Sequence, residues 1–202
     1  MGRDFSPKIR QRAELSRKQG RKASYDRLLI VCEGSKSEPN YFKEIRQTYR
    51  LHTANVAIHP SRLGTAPIQV VQCAKELFER GNTHLRIKAR SFEQVYVVFD
   101  RDNHNSYFDA FRLANSLNGK IKNDNGQLIQ FHTIASVPNF ELWLLLHFEG
   151  IQHSIHRDEV LKRLKKYIPN YHKAILNCFS ITQDKLNVAF RHANYYLNKI
   201  LL

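Results

Sequence analysis

Glu33, Asp100 and Asp102 are the residues whose type and setting best suit them to chemistry, because each follows directly on an apolar run that reads as a buried strand. The first stands in Cys32-Glu33-Gly34 after residues 28–31, and the other two stand in Phe99-Asp100-Arg101-Asp102 after residues 95–99. If both runs are parallel strands of one sheet, their carboxylates emerge at strand C-terminal ends, where open α/β sheets form their ligand crevice. Magnesium takes hard oxygen ligands in octahedral geometry, usually one or two carboxylates with waters and substrate phosphates in the other positions. Three acids at one sheet edge therefore predict a site for Mg²⁺ or Mn²⁺. The Asp-x-Asp spacing suits this, since alternate residues share a face as a strand ends. A plainer reading competes: Asp100 or Asp102 caps the next helix and Glu33 satisfies a turn amide. An Asp-x-Asp is weak by itself and much stronger beside a strand-terminal Glu-Gly.

The elements that must position these acids follow from hydrophobic periodicity. Strands are predicted over 28–32, 55–59, 94–100 and 128–135, the second closed by Pro60 and the fourth entered through Asn125-Gly126. Between them, Tyr41, Phe42, Ile45 and Tyr49 mark one helix, with Ser37 as its cap and Glu38-Pro39 in its first turn. Ile68, Val71, Leu77 and Phe78 mark a second helix that ends near Gly81, and residues 105–117 a third that stops at Asn118-Gly119. This β-α-β-α-β-α-β order predicts an α/β fold with a parallel sheet sandwiched by helices. Past Asn139 the chain reads as helical, with segments over 157–167, 171–178 and 182–202. The expected organisation is a basic arm over 1–27, an α/β domain over 28–150 and a helical extension over 151–202 packed on the same core.

Composition limits the function classes. No eighteen-residue apolar stretch occurs, and the run over 142–146 is far too short to span a bilayer. The basic N-terminus lacks the apolar centre of a secretory signal. Cys32, Cys73 and Cys178 lack paired spacing, which argues against disulfides and cysteine zinc sites and predicts a cytoplasmic home. The net charge is +14, and residues 1–27 and 156–202 each carry nine Lys/Arg against three Asp/Glu. The acids of interest thus lie in a near-neutral middle with basic flanks, a field that attracts phosphate backbones. A solvated, solubilising surface is the competing account.

The residues around the acids carry further roles. Gly34 permits a sharp turn or close ligand approach after Glu33. Ser35-Lys36-Ser37 is not a Walker loop, which needs a second Gly and Gly-Lys-Ser/Thr. Glu38 either joins the metal shell or complements the helix dipole. Lys36 and Arg101 are candidates to neutralise a phosphate, against simple surface solvation. His153, His156 and Asp158 form a second polar cluster that makes a poor zinc site.

Three blocks carry a resemblance: residues 32–42 (CEGSKSEPNYF), 97–102 (VVFDRD) and 136–148 (SVPNFELWLLLHF). Together they resemble the RloB-like family, which is similar to the Toprim superfamily. The resemblance implies a compact Toprim-like α/β domain that binds Mg²⁺ and acts on nucleic-acid phosphodiesters, as a restriction or phage-defence (abortive infection) nuclease beside an ATPase partner. It assigns Glu33 as metal ligand or general base and Asp100 with Asp102 as the metal pair. Glu38 matches a second acid often found shortly after the first motif in nuclease-type members.

The third block also has a physical reading. A helix starting near Pro138 puts Ser136, Asn139 and Glu141 on the edge of the metal site, with Glu141 as a third-wall acid. Phe140, Trp143, Leu144, His147 and Phe148 recur at helical spacing, a face expected to pack on the sheet. His147 there is either a hydrogen-bonded core histidine or a group that reaches an attacking water. The chain stops soon after residues 192–196 where more helix is expected, which leaves a truncated or short C-terminus open. The leading expectation is a metal-dependent nuclease; a homo-oligomer, and DNA or RNA as substrate, stay open. The alternatives are a non-catalytic nucleic-acid- or ATPase-binding subunit and, more weakly, phosphotransfer to an aspartate.

Overall fold

The structure, a computed structural model, describes residues 26–53, 55–101 and 106–200. Four short β-branched and aliphatic runs, β1 (Leu28–Cys32), β2 (Val56–Pro60), β3 (Gln94–Asp100) and β4 (Gln130–Ser136), form an all-parallel sheet in the order β2-β1-β3-β4. They are joined by α1 (Ser37–Thr48), α2 (Pro67–Arg80) and α3 (Tyr107–Leu117). The later helices are α4 (Phe140–Leu146), α5 (Arg157–Tyr167), α6 (Cys178–Thr182) and α7 (Leu186–Ile200), with a 3₁₀ turn, Gln183–Lys185, between the last two. This is an α/β architecture, a parallel sheet flanked by helices with a helical C-terminal region, and is consistent with a Toprim-like fold.

The strand order makes a ligand crevice. From β1 the chain steps outward to β2, returns past β1 to β3, and continues in that direction to β4. The connections leaving β1 and β3 thus run opposite ways, and the two adjacent strand ends part at a topological switch point. One sheet face is sealed by α2 and α3: Leu29, Val31, Val95, Val97, Phe99 and Phe131 bury against Val70, Val71, Phe78, Ala110 and Ala114. A second core lies among the helices, where Tyr41 of α1 meets Phe140, Leu144 and Leu145 of α4, Val160 and Leu164 of α5, Phe179 of α6 and Ala189 of α7.

At the opposite end of the sheet the start of β1 is tied down by charge. The Arg27 guanidinium donates to Glu93 Oε1 at 2.6 Å and Asp124 Oδ1 at 2.9 Å, and its backbone N–H donates to Glu93 Oε2 at 2.6 Å. The rest of the basic arm, residues 1–25, lies outside the described residues.

Several expectations are corrected. The second strand is Val56–Pro60, so Pro60 ends the strand instead of following it; β2 is an edge, where a residue without an N–H is tolerated. The fourth strand starts at Gln130 because Leu128 bridges back to Lys122 and Ile129 N–H donates to Ile121 O, closing a small antiparallel turn. The third helix is described from Tyr107, Asn105 being outside the described residues. Ser37 is the first helical residue, not the cap; Lys36 holds the cap position and Ser37 Oγ donates to Lys173 O at 3.0 Å. Residues 171–177 are turns, not helix. The apolar face of α4 packs among α5 and α7 in the helical core more than on the sheet.

That last turn segment ends where Glu44 of α1 caps α6. The Glu44 carboxylate accepts from Asn177 N–H at 2.6 Å and Phe179 N–H at 2.8 Å, just where Asn177 adopts a left-handed φ of 70°. One side chain thereby satisfies amides that the short helix leaves orphaned and fixes the segment before it to α1. Glu44→Ala is expected to cost about 1–2 kcal/mol of stability, read as a lowered denaturation midpoint; an unchanged midpoint would show the cap to be dispensable.

Candidate functional site

The pairing of β1 with β3 carries past the last paired residues into the site. Glu33 N–H donates to Val98 O at 2.8 Å, and Asp100 N–H donates to the Glu33 carboxylate at 2.8 Å. A side chain from the end of one strand is thus held by the backbone of the next. On either side, Ser61 N–H donates to Cys32 O at 2.7 Å and Arg101 N–H to Ser136 O at 2.8 Å, so the whole edge is fastened.

Above this edge lies a pocket of about 160 Å³ lined by Glu33, Gly34, Lys36, Glu38, Asp100, Glu141 and Lys173 among others. Its volume admits several waters. Four of its walls are carboxylic acids from four elements or their ends: β1, α1, β3 and α4. Glu38 and Glu141 are almost wholly buried, at 6% and 2% exposure. Gly34 makes this possible, because a Cβ there would sit 2.7 Å from the Glu38 carboxylate oxygen. The glycine serves close approach by a neighbouring side chain, and not a left-handed turn.

Burying acids together has an electrostatic cost. Burial pushes the Glu38 carboxyl above its ordinary range; its own backbone N–H opposes this, the charges of Glu141 and Glu33 add to it, and Lys173 opposes it. Glu141 is held by Tyr171, whose buried hydroxyl donates to it at 3.0 Å. Burial first, and then the Glu141 charge, drive the Tyr171 hydroxyl far above its usual range, so it remains a donor. Cys32, the last residue of β1, is wholly buried, and its thiol is pushed well up by burial and then by Glu38.

The structure brings together Glu33, Glu38, Asp100, Glu141 and Lys36, and leaves other candidates apart. Asp102 lies outside the described residues. Arg101 is exposed, with its guanidinium 5.4 Å from the Tyr107 ring centroid, and does not line the pocket. His147 is buried in the helical core: Nδ1–H donates to Trp143 O at 2.9 Å, and burial pushes the imidazole below its ordinary value. It does not line the pocket either. Six residues separate it from Glu141, a rotation of about 240° on a helix, so the two face different ways. His156 caps α5 by accepting from Asp158 N–H at 3.4 Å. Tyr171 and Lys173 were not singled out in the sequence; nothing in a solvated-looking segment 30 residues beyond Glu141 ties it to this pocket.

A divalent cation fits the chemistry of this donor set. The oxygens are hard, and a cation would favour the ionised form of Glu38, which burial first and then the charges of Glu141 and Glu33 disfavour. Among the described residues no three His, Cys, Asp or Glu side chains close around a metal position. Magnesium needs few protein ligands, and Glu33 and Asp100, the carboxylates at the switch point, are the residues that would hold it.

A family model described as RloB-like protein matches residues 28–200. The chain belongs to the RloB-like family. The RloB-like match starts at the first residue of β1 and runs through α7, so the segment bearing Tyr171 and Lys173 falls inside the same family unit as the strands. No curated protein and no solved structure matches the chain. No described helix is long and apolar enough to cross a membrane.

The strained acid offers a direct check. A carboxyl whose folded value is raised contributes stability below its ordinary value of 4.5 and loses it as pH rises through the elevated one. Glu38→Gln, which cannot ionise, is therefore expected to melt at a higher temperature than the parent chain above pH 4.5, with an advantage that grows with pH until Glu38 is fully ionised. Melting curves from pH 4 upward test this; an advantage independent of pH would mean that the charge is not the cause.

Proposed function

We propose that this chain is a metal-dependent nuclease that hydrolyses nucleic-acid phosphodiester bonds with Mg²⁺ or Mn²⁺. The observation that carries the reading is the convergence of Glu33, Glu38, Asp100 and Glu141 on one pocket at the switch point of a parallel sheet. Glu33 and Asp100 would hold the ion, with Asp102 two residues on and Glu38 lining the same pocket. A divalent ion bound there lowers the pKa of a coordinated water and neutralises phosphate charge.

The remaining work falls to the chain itself. The amide of Asp100 orients the Glu33 carboxylate, so the acid meets substrate in one rotamer. Glu38, its carboxyl raised by burial, can hold or release a proton at a higher pH than an ordinary carboxylate. Lys36 stands at the rim and draws in the phosphodiester. Basic segments at both ends, +6 each from nine Lys/Arg and three Asp/Glu, steer a polyanion toward the near-neutral middle.

The likeness of the three sequence blocks supports a setting in restriction or phage defence, with ATP hydrolysis supplied by a separate ATPase chain. The deciding experiment replaces both aspartates. Asp100→Ala combined with Asp102→Ala is expected to lower Mg²⁺- or Mn²⁺-dependent cleavage of DNA and RNA substrates by at least about 100-fold while the melting transition survives. Unchanged cleavage overturns the assignment. Salt-steep nucleic-acid binding by the parent chain, with no cleavage under either metal, would instead identify a binding subunit.

A further inference from the structure

We propose that Lys173, carried to the pocket by the turn segment 171–177, is a phosphate-binding residue of the site, so that the C-terminal helical region supplies part of the substrate contact. This rests on the nuclease reading above and adds a residue from outside the sheet. Lys173 lines the acidic pocket together with Lys36, Glu33, Glu38, Asp100 and Glu141.

Its place is built, not incidental. The Lys173 carbonyl accepts from Ser37 Oγ at 3.0 Å at the first residue of α1. Two residues before, Tyr171 is only 3% exposed and anchored on Glu141 at 3.0 Å. Four residues after, Asn177 N–H is bound by Glu44 at 2.6 Å. The segment is thus pinned to α1 at two points and to α4 at a third. A surface lysine that merely aids solubility needs no such tethering.

The charge itself points to a phosphate. Lys173 is near enough to oppose the raised carboxyl of Glu38, yet forms no ion pair with a carboxylate among the described residues. Its side chain stays exposed, so the ammonium retains hydrogen-bond donors for an incoming ligand. Carboxylates able to hold a metal, with a free ammonium lining the same pocket, are complementary to a metal-bound phosphodiester, whose remaining oxygens need a positive partner.

Binding to the full-length Asp100→Ala/Asp102→Ala chain tests this without cleavage. Fluorescence anisotropy with labelled single-stranded DNA and RNA oligonucleotides, across a salt series, gives affinity and the number of phosphates neutralised. In that background Lys173→Ala is expected to weaken binding several-fold and to reduce the log–log salt slope by about one. Lys173→Arg restores the slope, and Lys120→Ala, beyond α3 near the start of β4, leaves it unchanged. In the cleaving chain, Lys173→Ala lowers kcat at least about 10-fold. An unchanged affinity and slope for Lys173→Ala, or an equal loss for Lys120→Ala, overturns the proposal. Failure of the nuclease reading is seen separately, as absence of cleavage by the parent chain with Mg²⁺ or Mn²⁺.

Discussion

Everything at the site depends on the parallel pairing of β1 with β3, completed by the hydrogen bond from Asp100 N–H to the Glu33 carboxylate at 2.8 Å. The register Cys32 to Val98 brings the two strands to their ends together, and the chain leaves them in opposite directions. That divergence opens the crevice, and the side chain bridging to the neighbouring backbone keeps its rim in register. A slip of one residue in this pair would turn Glu33 to the other sheet face and lose the bond that orients it.

The rest of the pocket is assembled by packing in the helical core. Tyr41 lies one turn beyond Glu38 on α1; its hydroxyl accepts from Trp143 Nε1–H of α4 at 3.0 Å, and its ring meets Phe140 edge-on at 5.5 Å. Glu141 follows Phe140 directly. Apolar and aromatic contacts of this kind are worth a few kcal/mol per side chain, enough to hold two helices so that their acids face one another. The stability of the core thereby offsets an unfavourable concentration of carboxylates. Such local conflict, sustained by well-packed surroundings, is characteristic of sites that act on ligands.

The three sequence blocks that carried the family resemblance prove to be neighbours in space. Residues 32–42 contribute Glu33, Glu38 and Tyr41, the second block contributes Asp100, and the third contributes Phe140, Glu141 and Trp143. Their shared purpose is geometric: the acids of α1 and α4 line the pocket, and aromatic residues close to them in the chain clamp the two helices together. The segment 171–177 then crosses from α5 to α6 under restraint from Ser37, Glu44 and Glu141.

The order of strands and helices, the strand-end placement of Glu33 and Asp100, and the exclusion of a membrane-spanning helix were legible in the chain because each is written in local periodicity and flanking polar residues. The boundaries that moved did so for non-local reasons, as where Leu128 pairs with Lys122 or where Glu44 caps a helix 133 residues away. Sequence alone determined that acids would stand at two strand ends in a parallel α/β fold. Only the tertiary structure decided that Glu38 and Glu141 share their pocket, that His147 turns into the core, and that Lys173 and Tyr171 reach the site at all. The physical reason is that periodicity tells which face of an element is apolar but not which partner buries it, and a pocket is made by partners.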